Sequence, residues 1–78
     1  MNTLTINKST NAVDVWFDHL KMFIRLEDGR EIAVPLAWFP SLRDATKAQR
    51  ENWRFIGNGE GIHWEDIDED IQVEGLIK

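Results

Sequence analysis

Between residues 13 and 36 the sequence alternates so regularly that one pairing register satisfies all of its runs. Val13, Val15 and Phe17 interleave with Asp14, Trp16 and Asp18; Met22, Ile24 and Leu26 with Lys21, Phe23 and Arg25; Ile32, Val34 and Leu36 with Glu31, Ala33 and Pro35. A period of two sends successive side chains to opposite faces of a strand, and a one-residue slip would turn each apolar set into water. A two-residue loop at His19 and Leu20 sets Phe17 against Met22, Val15 against Ile24 and Val13 against Leu26, so one face is apolar. The other face pairs Asp18 with Lys21 and Asp14 with Arg25. At the second turn, "LEDGR", a two-residue Asp-Gly loop would set Leu26 against Glu31 and mix the faces. A three-residue loop of Glu27, Asp28 and Gly29, with the glycine left-handed, instead matches Ile24 with Ile32 and Met22 with Val34. This register predicts a three-stranded antiparallel meander with Asp14, Arg25 and Glu31 as a charged row.

Beside that row, on the same face, fall Trp16, Phe23 and Ala33. An aromatic pair on the polar face of a sheet has two readings. Either a further element covers it, such as the "TLTIN" segment at residues 3 to 7 or the C-terminal segment, or it is a surface for a partner.

After "VPLAWFP" the signals become helical. Pro35 marks a strand end or edge, Pro40 before "SLRDA" a short helical turn. Thr46 and Gln49 have the spacing of a capping box, which predicts a helix over about Lys47 to Trp53. Were helical geometry continuous, Arg43, Lys47, Arg50 and Arg54 would fall along one face at steps of four, three and four. Leu42, Ala45, Gln49 and Trp53 would fall along another. That row is either a solvated face or a stripe for phosphate or an acidic partner.

The stretch "GNGEGIHWEDIDEDI", residues 57 to 71, crowds glycines, one histidine and a comb of carboxylates. Asp66, Asp68 and Asp70 are spaced like the first ligands of a calcium loop, but Ile71 stands where such a loop turns on glycine and Ile77 where it needs glutamate. His63 with Glu60, Glu65 or Asp66 would supply part of a metal site, yet the other histidine, His19, falls in a hairpin turn. Glu65 and His63 have no nucleophile, phosphate loop or oxyanion motif beside them. No metal, cofactor or catalytic residue is therefore expected. Ile62, Trp64, Ile67, Ile71, Val73 and Leu76 read as anchors of a docking loop, with Asp68 to Asp70 capping a short terminal helix over "IQVEGLI". His63, Glu65, Asp66, Asp68 and Asp70 then face water or a partner.

A chain of 78 residues is expected to be one domain. The fold class that follows is α+β, a small antiparallel β-meander packed with one or two short helices and an acidic C-terminal segment. No cysteine is present, so disulfides and thiolate metal sites are excluded and a reducing, cytoplasmic setting is the natural expectation. No run approaches the roughly 20 apolar residues of a membrane span. The net charge of −5 argues against a surface built for nucleic acid.

The segments "LEDGREIAVPLAWFPSLRDAT", "QRENW", "GIHWEDIDEDI" and "VEGLI" together resemble the short bacterial proteins grouped as the domain of unknown function 2442 family, over residues 13 to 77. The resemblance implies a small α+β protein, sometimes fused to a helix-turn-helix domain and often encoded beside another small protein in what looks like a toxin–antitoxin pair. It assigns no catalytic residue. These 78 residues hold no DNA-binding domain, which turns the expectation toward a protein partner.

The function expected is that of a noncatalytic interaction module, antitoxin-like, whose partner is a basic, toxin-like protein. The alternatives are a nucleic-acid-associated regulator using Arg43, Lys47, Arg50 and Arg54, and an acidic mimic of nucleic acid. A metal-dependent enzyme around His63 ranks last. Edge strands beside an apolar patch also point to a homodimer.

Overall fold

A computed structural model describes residues 8–77, so the "TLTIN" segment lies outside the described residues. The elements run β1 (Ala12–Phe17), β2 (Lys21–Leu26), β3 (Glu31–Pro35), a 3-10 turn (Leu36–Trp38), α1 (Pro40–Arg43), α2 (Lys47–Glu51), β4 (Trp53–Ile56), β5 (Gly61–Trp64), β6 (Glu69–Gln72) and α3 (Val73–Ile77). They make two three-stranded antiparallel sheets, β1-β2-β3 and β4-β5-β6, joined by the short helices.

The first sheet has the register the alternation predicts. Phe17 faces Met22, Val15 faces Ile24 and Asp14 faces Arg25, while Ile24 faces Ile32, Met22 faces Val34 and Arg25 faces Glu31. Gly29 takes φ +96 in the three-residue loop, and Leu26 N–H donates to Arg30 O at 2.7 Å. Asp28 accepts from Arg30 Nε at 3.0 Å and from the Ser9 backbone at 2.9 Å. Those donors, the Arg30 guanidinium foremost, hold its carboxyl well below the usual carboxylate range.

The start of β1 departs from expectation. Ala12, not Val13, faces Leu26; a bulge lies between Ala12 and Asp14, and Val13 is 49% exposed. The cause is a contact from the far hairpin. Ala12 N–H donates to Gly59 O at 2.8 Å, and a Cβ built on Gly59 would stand 2.2 Å from Ala12 O. Only a glycine at 59 allows the backbones that close.

Helix α2 begins as predicted: Thr46 accepts from Gln49 N–H at 3.1 Å and the Gln49 side chain accepts from Thr46 N–H at 2.9 Å. It ends at Glu51 rather than running to Trp53, which opens β4. The docking loop expected beyond it is the second meander. Trp53 faces Trp64 and Phe55 faces Ile62; Ile62 faces Ile71. Ile71 and Gln72 lie in β6, so the terminal helix starts only at Val73. Glu69 and Asp70 are therefore strand residues that do not cap it.

One apolar core joins the two sheets. Met22, Ile24, Leu26 and Val34 of the first sheet cluster with Leu42, Ile62, Trp64, Ile71 and Val73. Trp64 is fully buried, and its Nε1 donates to Arg50 O at 2.8 Å. The Arg50 guanidinium donates in turn to the carbonyls of Leu42 (2.8 Å), Arg43 (3.0 Å) and Ala45 (3.0 Å). It thus satisfies the open end of α1 that a four-residue helix leaves bare.

Three stability tests follow. Gly59→Ala should lower stability by about 2 kcal/mol or more, through backbone collision and positive φ. Gly75→Ala, in α3 with open space around it, should raise it by roughly 0.5–1 kcal/mol. Arg50→Ala should cost about 2 kcal/mol. Urea-unfolding midpoints measure all three.

Candidate functional site

Two surfaces gather the sequence-predicted site residues. The first is the outer face of the β1-β2-β3 sheet. Trp16 and Phe23 are cross-strand partners whose rings stack with centroids 5.7 Å apart and planes 9° from parallel. The Arg25 guanidinium lies 5.1 Å from the Trp16 ring centre and pairs with Glu31 at 3.1 Å, close enough for cation–π attraction. Asp14 stands opposite Arg25, but its Oδ1 accepts from Val15 N–H at 2.8 Å. Ala33 is exposed, and Trp16 and Phe23 remain partly open to solvent. The patch is an apolar plate clamped by one ion pair.

The second surface is the outer face of the β4-β5-β6 sheet. Arg54, His63 and Asp70 stand in one row across it. His63 Nδ1 is hydrogen-bonded to Asp70, and its Nε2 lies 3.6 Å from Glu65. The Asp70 carboxylate, helped by Glu65, raises the His63 pKa above its ordinary value. Glu65, Asp66 and Asp68 occupy the β5-β6 turn. There Asp66 accepts from Asn52 Nδ2 at 3.0 Å, and Asp68 adopts φ +51, a left-handed conformation that aspartate tolerates better than most residues.

His63 and Asp70 make an oriented imidazole, yet among the described residues no nucleophile joins them. Ser41 gives its hydroxyl to Glu69, whose side chain leaves β6 on the face opposite that of Asp70. Among the described residues no group of three or more His, Asp or Glu side chains is placed to hold a metal.

The basic row is not assembled. Arg43 pairs with its neighbour Asp44 at 3.0 Å, Arg50 is spent on three carbonyls, and Arg54 sits on β4 opposite His63. The side chains of Lys47 on α2 and Arg54 on β4 are exposed and make no hydrogen bond or ion pair among the described residues. The break falls where α1 ends and the capping box starts a separate helix. Sequence reasoning missed the Asp70–His63 bond because it needs β6, and the spacing of the two residues across a four-residue turn was the signal that would have found it.

The family described as "Protein of unknown function (DUF2442)" matches residues 12–78. The chain belongs to that family. A crystal structure of a protein of unknown function from Rhodospirillum rubrum ATCC 11170 is similar, with a TM-score of 0.74 and 29% identity over 86% of this chain and 83% of that one. No curated protein matches. Among the described residues no helix is long and apolar enough to cross a membrane.

The histidine gives a pH test. Because its folded pKa is raised, the bond to Asp70 adds stability that is complete below the unfolded value of about 6.5 and is lost as pH rises through the folded pKa. Proton resonances of His63 should titrate above about pH 6.5, and Asp70→Asn should move that midpoint downward. The stability advantage of the parent over Asp70→Asn should shrink across the same window.

Proposed function

We propose that this DUF2442 protein is a noncatalytic protein-interaction module that offers the Trp16–Phe23 face to a basic partner, as the antitoxin-like member of a two-protein system. The observation that supports the reading is the stacked pair itself. Two aromatic rings left partly in water, fixed to each other and framed by Arg25 and Glu31, are the preorganised anchors that protein interfaces concentrate on. The chain's net charge of −5 favours a partner of opposite sign, whose approach it would steer. The oriented His63 has no nucleophile beside it among the described residues, and Arg50 of the basic row is spent on backbone carbonyls, so neither an enzyme nor a phosphate-tracking regulator draws comparable support.

Coexpression with the product of the adjacent gene tests the proposal. The parent chain should copurify with it. The double variant Trp16→Ser, Phe23→Ser should lose at least about ten-fold in affinity, in line with removal of two interface anchors, while keeping its circular dichroism spectrum. Recovery of the chain alone, with unchanged growth when the neighbour is expressed without it, overturns the assignment.

A further inference from the structure

A cleft of about 290 Å³ lies between the first hairpin and α2, lined by Phe17, Asp18, His19, Lys47, Arg50 and Glu51. The register of β1 determines what its backbone offers there. Asp18 N–H donates to Lys21 O at 3.0 Å, and in an antiparallel pair the strand's groups alternate between partner and open side. Residues 16 and 18 thus point their backbone groups toward β2, and residues 15 and 17 point theirs away from it. At Val15 the outward N–H is closed by Asp14. At Phe17 the outward N–H and C=O have no partner among the described residues. Among the described residues one rung of strand edge is left open, at a residue that lines the cleft.

The charged groups around it are divided. Asp18 is committed to the Leu20 and Lys21 amides at 2.8 and 2.7 Å, and Arg50 to its carbonyls. The side chains of Lys47, His19 and Glu51 make no hydrogen bond or ion pair among the described residues. The cleft therefore combines an open backbone rung, the half-buried Phe17 ring and a free ammonium. Its size is at the lower end of ligand clefts, about 300–1,000 Å³, which suits one terminal residue better than a nucleotide.

We propose that this cleft binds the carboxy-terminal residue of an extended protein segment, added as a short antiparallel strand to the edge of β1. The terminal residue donates its N–H to Phe17 O, and its carboxylate accepts from Phe17 N–H and the Lys47 ammonium. Residues directly opposite in such a pair share a face, so an apolar last side chain packs on the Phe17 ring. Glu51 favours a cationic residue just before it. The site is separate from the Trp16–Phe23 face and does not depend on it.

Titration of the intact ¹⁵N-labelled chain with acetyl-Gly-Lys-Leu as the free acid tests this. Amide shifts should centre on Phe17, His19 and Lys47, the C-terminal amide of the same peptide should not produce them, and Lys47→Gln should weaken binding about five-fold while leaving the spectrum otherwise folded. Equal shifts with the peptide amide, none at millimolar free acid, or shifts centred elsewhere overturn the proposal. Equal affinity for N-acetylleucine also overturns it, because the site would then read a small carboxylic acid and not a chain end.

Discussion

The bond from the buried Trp64 indole to the carbonyl of Arg50 is the point on which the two halves of the molecule meet. An indole N–H that is fully buried needs a partner, since an orphaned donor costs on the order of 1–3 kcal/mol. Arg50 supplies one because its own backbone sits at the end of α2, where carbonyls lack helical partners. The same residue's guanidinium then ties down the end of α1. One tryptophan and one arginine thereby fix both short helices against the second sheet. Neither helix, at four and five residues, would persist in water without such support. The cleft wall that α2 contributes exists for the same reason.

Much of the first sheet was legible because its two faces have incompatible chemistry. Leu26 cannot face Glu31 without exposing one face and burying charge on the other, so the three-residue loop followed from side-chain pattern alone, and with it the placement of Trp16 beside Phe23. The capping box at Thr46 and Gln49 was equally local. Val13 was misplaced because its position is decided by Gly59, a contact that no local pattern encodes. The second sheet was read as a loop and helix because "WRFI", "GIHW" and "EDIQ" are each four residues long. At that length alternation is too short to separate strand from turn, and the carboxylates of Glu69 and Asp70 dilute the apolar signal.

The candidate site divides along the same line. Trp16, Phe23, Arg25 and Glu31 came from strand register and are found together. Arg43, Lys47, Arg50 and Arg54 were aligned by assuming one helix, and the breaks from α1 to α2 and from α2 to β4 scatter them. The carboxylate comb proved to be several things: Asp70 orients His63, Asp66 is held by Asn52, Asp68 supplies a left-handed turn residue, and Glu69 reaches inward to Ser41. What looked like one feature in sequence is four different jobs in space.

The topology also bears on how the molecule comes together. Every strand pairs with its neighbour in sequence, so each meander closes only short loops and involves little long-range search, a property that goes with rapid folding. What must be found last is the docking of one meander on the other through Trp64 and Ile62. If those contacts form after the rate-limiting step, changes at their interface act mainly on the lifetime of the folded state. The seam between the sheets would then govern how long the protein persists, while the hairpins govern how quickly it appears.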